Sequence, residues 1–295
     1  MIDMKKTIYA LGFFDGVHLG HQALLRQCRR IADETGCQAG VVTFTSHPDT
    51  LVSGQTPKLL CSYDDRKALL LQYNMDCVLE LPFDKKLMTT HWSAFLSALV
   101  EMGAAGFVCG YDFRFGAGGS GTAKKLQAFC SRRDLPCAVV EQQTVDGVRV
   151  SSTHIRSLLE AGEMAQVNKL LGHPHIFTGT VVAGRGLGHT MGIPTANMEL
   201  PAELLQPKTG VYACSAWVDG KMYAAVTNIG SRPTVGGHQT RAESWLLDFE
   251  GDLYGKKLTL AFHQYLRPEE KFDSLEELQA QIQKDAAKTG KILGK

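Results

Sequence analysis

At 295 residues the chain is too long for one small module and suits two domains of ordinary size; 44% hydrophobic and 21% charged residues exclude global disorder. A formal net charge of +1 leaves no whole-protein basic field, which argues against a nucleic-acid partner and for a small substrate. The eight cysteines include no C-x-x-C pair, no cleavage pattern follows Lys5-Lys6 and the apolar stretch after them, and no run reaches membrane-crossing length, so we expect a reduced, cytoplasmic protein with no zinc site and no membrane partner.

Along the first half, strand-like and helix-like segments alternate. A buried strand is predicted over 7–13, then a helix over 18–34 with Leu24, Leu25, Cys28 and Ile31 on one face and Gly36 as its stop. Further strands are predicted over 40–45, 76–81, 106–110 and 137–141, with helices near 64–73, 90–102 and 122–133 between them. That alternation implies an α/β domain with a parallel sheet, whose ligands sit beyond the carboxyl ends of the strands. After about residue 172 the pattern turns all-β. Segments 211–218 and 221–227 flank Asp219-Gly220, a type I′ hairpin signal, and 241–249 with 258–266 read as a second hairpin, together suggesting a small antiparallel barrel. Ser274 with Glu277 forms a capping box, and Leu275, Leu278 and Ile282 form an apolar stripe, so a helix should pack on the barrel. With Leu171-Gly172-His173-Pro174 as the linker, the expected domains are 1–172 and 173–295.

The first strand runs into Gly12-Phe13-Phe14-Asp15-Gly16-Val17-His18-Leu19-Gly20-His21. If the helix opens near His18, both imidazoles stand in its first turn, where free N–H groups and the dipole stabilise phosphate, and Gly20 keeps the backbone open to close approach. Taken alone, the tetrad reads equally well as ordinary surface or capping histidines. Downstream, Ser151, Ser152 and Thr153 with Arg156 open another helix, donors suited to a leaving pyrophosphate, although a simple N-cap explains them as well. Gly116 to Gly121 satisfies G-x-G-x-x-G, but Tyr111 to Phe115 separate it from the preceding strand, against a dinucleotide fingerprint. In the second half, Gly184, Arg185, Gly186 and Gly188 could present backbone N–H groups to phosphate, and Thr195 with Asn197 could join the oxygen shell of Mg²⁺. A hairpin loop followed by a Pro turn is the plainer account of the same residues.

Together the blocks Gly12 to His21, Thr43-Phe44 with His47-Pro48, Gly110 to Gly116 and Ser151 to Arg156 resemble the adenylyltransferase module of bacterial bifunctional riboflavin kinase and FAD synthetase. The resemblance implies a Rossmann-like nucleotidylyltransferase α/β/α domain that transfers AMP from ATP to FMN, giving FAD. It implies phosphate contacts from His18, His21, Ser152, Thr153 and Arg156. Gly12, Phe13, Phe14, Asp15, Gly16, Gly20, His47, Asp112, Phe113, Phe115, Gly116 and Ser151 would complete the ATP and FMN site. Likewise Pro194-Thr195-Ala196-Asn197, Asn228 to Thr234, Glu243 before Leu246-Leu247-Asp248-Phe249, and Leu266-Arg267-Pro268-Glu269 resemble the kinase module. That implies a six-stranded antiparallel barrel with a terminal helix, phosphorylating riboflavin with Mg-ATP. Thr195 and Asn197 would bind Mg²⁺, Glu243 would be the general base, and Gly184, Arg185, Gly186, Gly188, Asn228, Arg232 and Arg267 would line the ATP and riboflavin site.

Four positions depart from the family pattern. Ser46 stands where Pro is usual, Gly119 where Arg is frequent, Thr122 in place of an acidic residue, and Trp245 in place of His. Trp245 reads as a packing difference in the flavin pocket, whereas Gly119, Thr122 and Ser46 motivate a competing expectation, a riboflavin kinase with a weak or inactive adenylyltransferase domain; a flavin-binding regulator without turnover is the alternative from a different class.

Overall fold

A computed structural model describes residues 5–184, 192–234 and 237–294, with the side chains of 232–239 outside that description. The chain forms two compact units, Met1–Pro57 with Tyr63–Ser151, and Lys58–Ser62 with Ser152–Lys295.

The first unit holds β1 (Thr7–Leu11), β2 (Gln38–Phe44), β3 (Cys77–Leu81), β4 (Ala104–Gly110), β5 (Arg114–Phe115), β6 (Gly121–Thr122), β7 (Cys137–Val140), β8 (Thr144–Val145) and β9 (Val148–Arg149). Five of these make one sheet in the order β3-β2-β1-β4-β7, every pair parallel, as the alternating pattern predicts. The chain builds outward from β1 through β2 to β3, then returns to place β4 on the other side of β1; the crevice at that switch is where such sheets bind ligands. Its helices are α1 (Leu19–Thr35), α2 (Asp49–Val52), α3 (Tyr63–Gln72), α4 (Lys85–Thr89), α5 (Trp92–Glu101) and α6 (Ala123–Ser131). Leu24, Leu25, Cys28 and Ile31 are the buried face of α1, as their spacing requires. Phe95, Leu96 and Leu99 of α5 and Leu126 and Phe129 of α6 close over Tyr9, Leu11 and Phe107 in one core, each large side chain contributing about 2 kcal/mol of burial.

In the second unit α7 (Ser152–Ala161) and α8 (Met164–Leu171) precede β10 (His175–Thr180), β11 (Ala196–Glu199), β12 (Gly210–Val218), β13 (Lys221–Thr234), β14 (Gly237–Leu246), β15 (Lys257–Arg267) and α9 (Leu275–Leu293). The six strands form an antiparallel sheet, β10-β15-β12-β13-β14-β11, which curls until a bridge between Val182 and Asn197 joins its two edges. Asp219 (φ 50°) and Gly220 (φ 76°) make the predicted left-handed turn between β12 and β13. The second predicted hairpin does not form: β14 pairs with β13 and β11, while β15 pairs with β12 and β10. Hydrophobic alternation marks both segments as strands but does not choose their neighbours, which the closure of the sheet decides. Ser274 caps α9, accepting from Glu277 N at 3.2 Å. Leu275, placed on the apolar stripe by spacing, is instead exposed, and the helix buries Asp285, Ala286 and Thr289. On the other flank, the Asn168 side chain ties α8 to the sheet, donating to Phe262 O at 2.7 Å and accepting from His175 N at 2.8 Å.

Two candidate active sites

Beyond β1 the backbone enters conformations that side-chain-bearing residues avoid: Phe14 at φ 62° and Val17 at φ 42°, with Gly16 between them at φ 72°. For a β-branched valine this is strain, and complete burial of Phe14 and Val17 holds it in place. The turn sets His18 as the N-cap of α1, so the helix itself begins one residue after the predicted start; the His18 Nδ1 accepts from His21 N at 3.2 Å. The two imidazoles stack with centroids 3.6 Å apart and planes 11° from parallel. Burial, with His18 and the Arg66 guanidinium nearby, holds His21 well below the usual imidazole range, so its ring is neutral and offers a single N–H. Its Nδ1 is buried and has no hydrogen-bond partner among the described residues.

Neighbouring strand ends complete this floor. Thr43 donates to Phe13 O at 2.9 Å, and His47 meets the Phe13 ring edge-on at 4.5 Å. Sequence reasoning missed Arg66. It is 2% exposed, donates to Phe44 O at 2.8 Å and lies 4.3 Å over the Phe13 ring, and nothing in the run Asp64-Asp65-Arg66-Lys67 distinguishes it from a solvated helix face. After β4, Phe113 and Phe115 stack at 5.4 Å, and exposed Asp112 pairs with Arg149 at 3.1 Å. Phe115 and Gly116 line a cavity of about 660 Å³ with Phe44, Pro48 and Phe83. Gly116 adopts φ 69°, ψ 178°, and a Cβ there would come within 2.6 Å of the Trp92 backbone, so only glycine fits.

Two of the departing positions have local structural roles. Gly119 lies at φ 63°, and Thr122 caps α6, accepting from Lys125 N at 3.3 Å. The stretch from Gly116 to Gly121 passes through a 3₁₀ turn and β6 before α6 begins, unlike a strand-to-helix phosphate loop. Ser151 closes the first unit, whereas Ser152, Thr153 and Arg156 open α7 in the second, where Arg156 Nε donates to Lys58 O at 2.8 Å.

The second site is written across strands. Register sets Asn197 of β11 opposite Glu243 of β14, Glu243 opposite Asn228 of β13, Asn228 opposite Val211 of β12, and Val211 opposite Arg267 of β15. Directly opposed residues share a face, so Asn197, Glu243, Asn228 and Arg267 form one row. A cavity of about 270 Å³ lies over that row, lined by Glu243, Asn228, Arg267, Trp245, Phe272 and Ile282 among others, with α9 as its roof. A second cavity, about 520 Å³, is lined by Pro194, Ser244, Phe249 and Tyr254; Thr195 lines both. Asn197 is buried and donates to Thr195 O at 3.2 Å, and any side chain at Gly184 would run into its amide.

Arg267 is not free to reach a ligand with its whole fork. Its Nε and a terminal nitrogen engage Asp285 Oδ2 at 2.9 and 2.8 Å, and Gln281 donates to the other Asp285 oxygen at 3.1 Å. Asp285 was missed because a lone acid on an amphipathic helix signals nothing without its partner. Arg185, Gly186 and Gly188 lie outside the described residues, as does the side chain of Arg232, whose backbone is in β13.

Two family models match the chain, one described as FAD synthetase over residues 2–154 and one as riboflavin kinase over 171–293. A bifunctional riboflavin kinase/FMN adenylyltransferase of Listeria monocytogenes is 35% identical over 297 residues, 99% of this chain and 94% of its own. The protein of the same description from Bacillus subtilis is 34% identical, covering 96% and 91%. A solved structure from Streptococcus pneumoniae, described as a macrolide-efflux protein, is 28% identical with a TM-score of 0.87 and covers 97% and 94% of the two chains. Among the described residues no helix is long and apolar enough to cross a membrane.

Proposed function

The chain belongs to the bifunctional riboflavin kinase/FMN adenylyltransferase family, and from that membership we propose that residues 173–295 convert riboflavin to FMN and residues 1–172 convert FMN to FAD, in the cytoplasm. The observation that carries the kinase reading is the row Asn197–Glu243–Asn228 with Thr195 shared between two cavities. Riboflavin takes the cavity under α9, its ring against Val226, Trp245 and Phe272, and ATP takes the cavity beside Tyr254. The γ-phosphoryl group then lies at Thr195. Glu243 accepts the proton of the ribityl 5′-hydroxyl as its oxygen bonds to phosphorus and ADP leaves. Thr195 and Asn197 supply hard oxygen donors without a carboxylate cluster, which fits Mg²⁺ that arrives with ATP and neutralises phosphate charge.

Adenylylation asks for something else. The FMN phosphate is already an anion, so its attack on the α-phosphorus needs no base; it needs donors for the departing pyrophosphate. His18, neutral His21 and the opening N–H groups of α1 are such donors. Phe113, Phe115, Gly116 and the 660 Å³ cavity receive the flavin. A chromatographic time course with riboflavin, ATP and Mg²⁺, beside one started from FMN, tests both steps. FAD in both is the expected result. FMN without FAD would assign the chain a kinase alone, and no product would favour a flavin-binding regulator.

A further inference from the structure

Asn228 is held in one orientation. Its Nδ2 donates to Glu269 Oε1 at 2.9 Å, and because an ionised carboxylate only accepts, the amide nitrogen must face Glu269 and Oδ1 must turn away. That Oδ1 is buried and has no hydrogen-bond partner among the described residues. A buried acceptor left unsatisfied is costly, and native proteins keep few of them. Asn228, Glu243 and Glu269 all line the 270 Å³ cavity, so a donor on a bound ligand is what would satisfy it. Arg267, in the same row, is engaged by Asp285 and by Pro268 O at 3.1 Å.

Glu243 lies directly opposite Asn228 across β14 and β13, so the two acceptors start from Cβ atoms about 5 Å apart. Neighbouring hydroxyls along a polyol are spaced to meet such a pair, whereas a simple alcohol would satisfy only one of them. We propose that the kinase site reads a polyol rather than a single hydroxyl: Glu243 takes the hydroxyl to be phosphorylated, Asn228 Oδ1 accepts from a secondary hydroxyl beside it, and Glu269 is the positioning residue that makes Asn228 an acceptor. The proposal rests on the kinase reading of Glu243 and adds a specificity determinant outside the base itself.

The test compares phosphorylation of riboflavin with that of a flavin whose ribityl chain keeps the terminal hydroxyl but carries hydrogen in place of the neighbouring one. The parent protein should prefer riboflavin in kcat/KM by roughly tenfold to a hundredfold, the scale of one buried acceptor left without its hydrogen bond. In Asn228→Ala the preference should collapse toward unity. In Glu269→Gln, an exposed substitution that spares the core, the amide can turn over and the preference should shrink, riboflavin losing more than the deoxy flavin. A loss of general packing would lower both substrates alike. A parent without preference, or Asn228→Ala retaining it, overturns the proposal while leaving the kinase reading standing. Failure of the parent to phosphorylate either flavin would overturn the kinase reading, and this proposal with it.

Discussion

The two candidate sites are built by opposite means. In the first unit the chemistry sits where strands end, on a backbone bent through Phe14, Gly16 and Val17 so that His18 and His21 stack at a helix N-terminus. In the second it sits within the strands, and register alone aligns Asn197, Glu243 and Asn228. Under the proposed reactions the difference follows the two nucleophiles. A phosphate needs no base and is served by N–H groups and neutral imidazoles, which turns and helix starts supply; a hydroxyl needs a carboxylate held still, which a sheet supplies. Loop-built sites are therefore sensitive to backbone conformation, and strand-built sites to the identity of one side chain.

Glu243→Gln gives the largest separation of the two. The amide keeps the shape and cannot take the proton, so FMN formation should fall by about 10² to 10⁴, the usual contribution of a general base. FAD formation from supplied FMN should keep its parent rate. Equal loss of both steps would show that Glu243 holds the fold rather than the reaction.

Gly116→Ala should produce the mirror image. The conformation at φ 69°, ψ 178° is open only to glycine, and the added carbon meets the Trp92 backbone, a strain on the order of 2 kcal/mol. The loop lining the flavin cavity must move, so FAD formation should fall about tenfold or more while FMN formation is unchanged. A variant with both rates intact would remove the 660 Å³ cavity from the adenylyltransferase site.

Local pattern made much of this legible in the sequence. The strand, turn and helix from Thr7 to Thr35 follow from an apolar run, a glycine-rich break and a helical stripe, and the Asp219-Gly220 hairpin from its turn residues. What sequence missed is long-range. Nothing near Arg66 announces that Phe13 will lie beneath it, nothing in the run from Leu258 to Leu266 says that β12 rather than β14 is its neighbour, and Asn228 stands out only within a motif while Glu269, which orients it, comes from beyond another strand. Side chains whose role depends on a partner far along the chain carry no local signature.

A smaller effect distinguishes the units by acid. His175 is buried against Phe262 in the second unit, and burial together with His173 pushes it down to about 4; His21 in the first unit is lowered in the same direction. An unfolded imidazole titrates near 6.5, so below that pH the unfolded chain binds protons that the folded one refuses. Stability is flat above about 6.5 and lost as pH falls from there toward 4, at about 1.4 kcal/mol per pH unit for His175. At pH 5 the loss is about 2 kcal/mol, and His175→Phe, which keeps the backbone bond to Asn168, should escape it. Urea midpoints of the parent and the variant at pH 7.5 and 5.0 measure the difference, and equal acid losses would exclude His175 as its source. Lowered His21 should differ in one respect: it stands at the proposed phosphate site, where a bound anion favours the protonated ring, so added pyrophosphate should recover part of the acid loss that remains in His175→Phe.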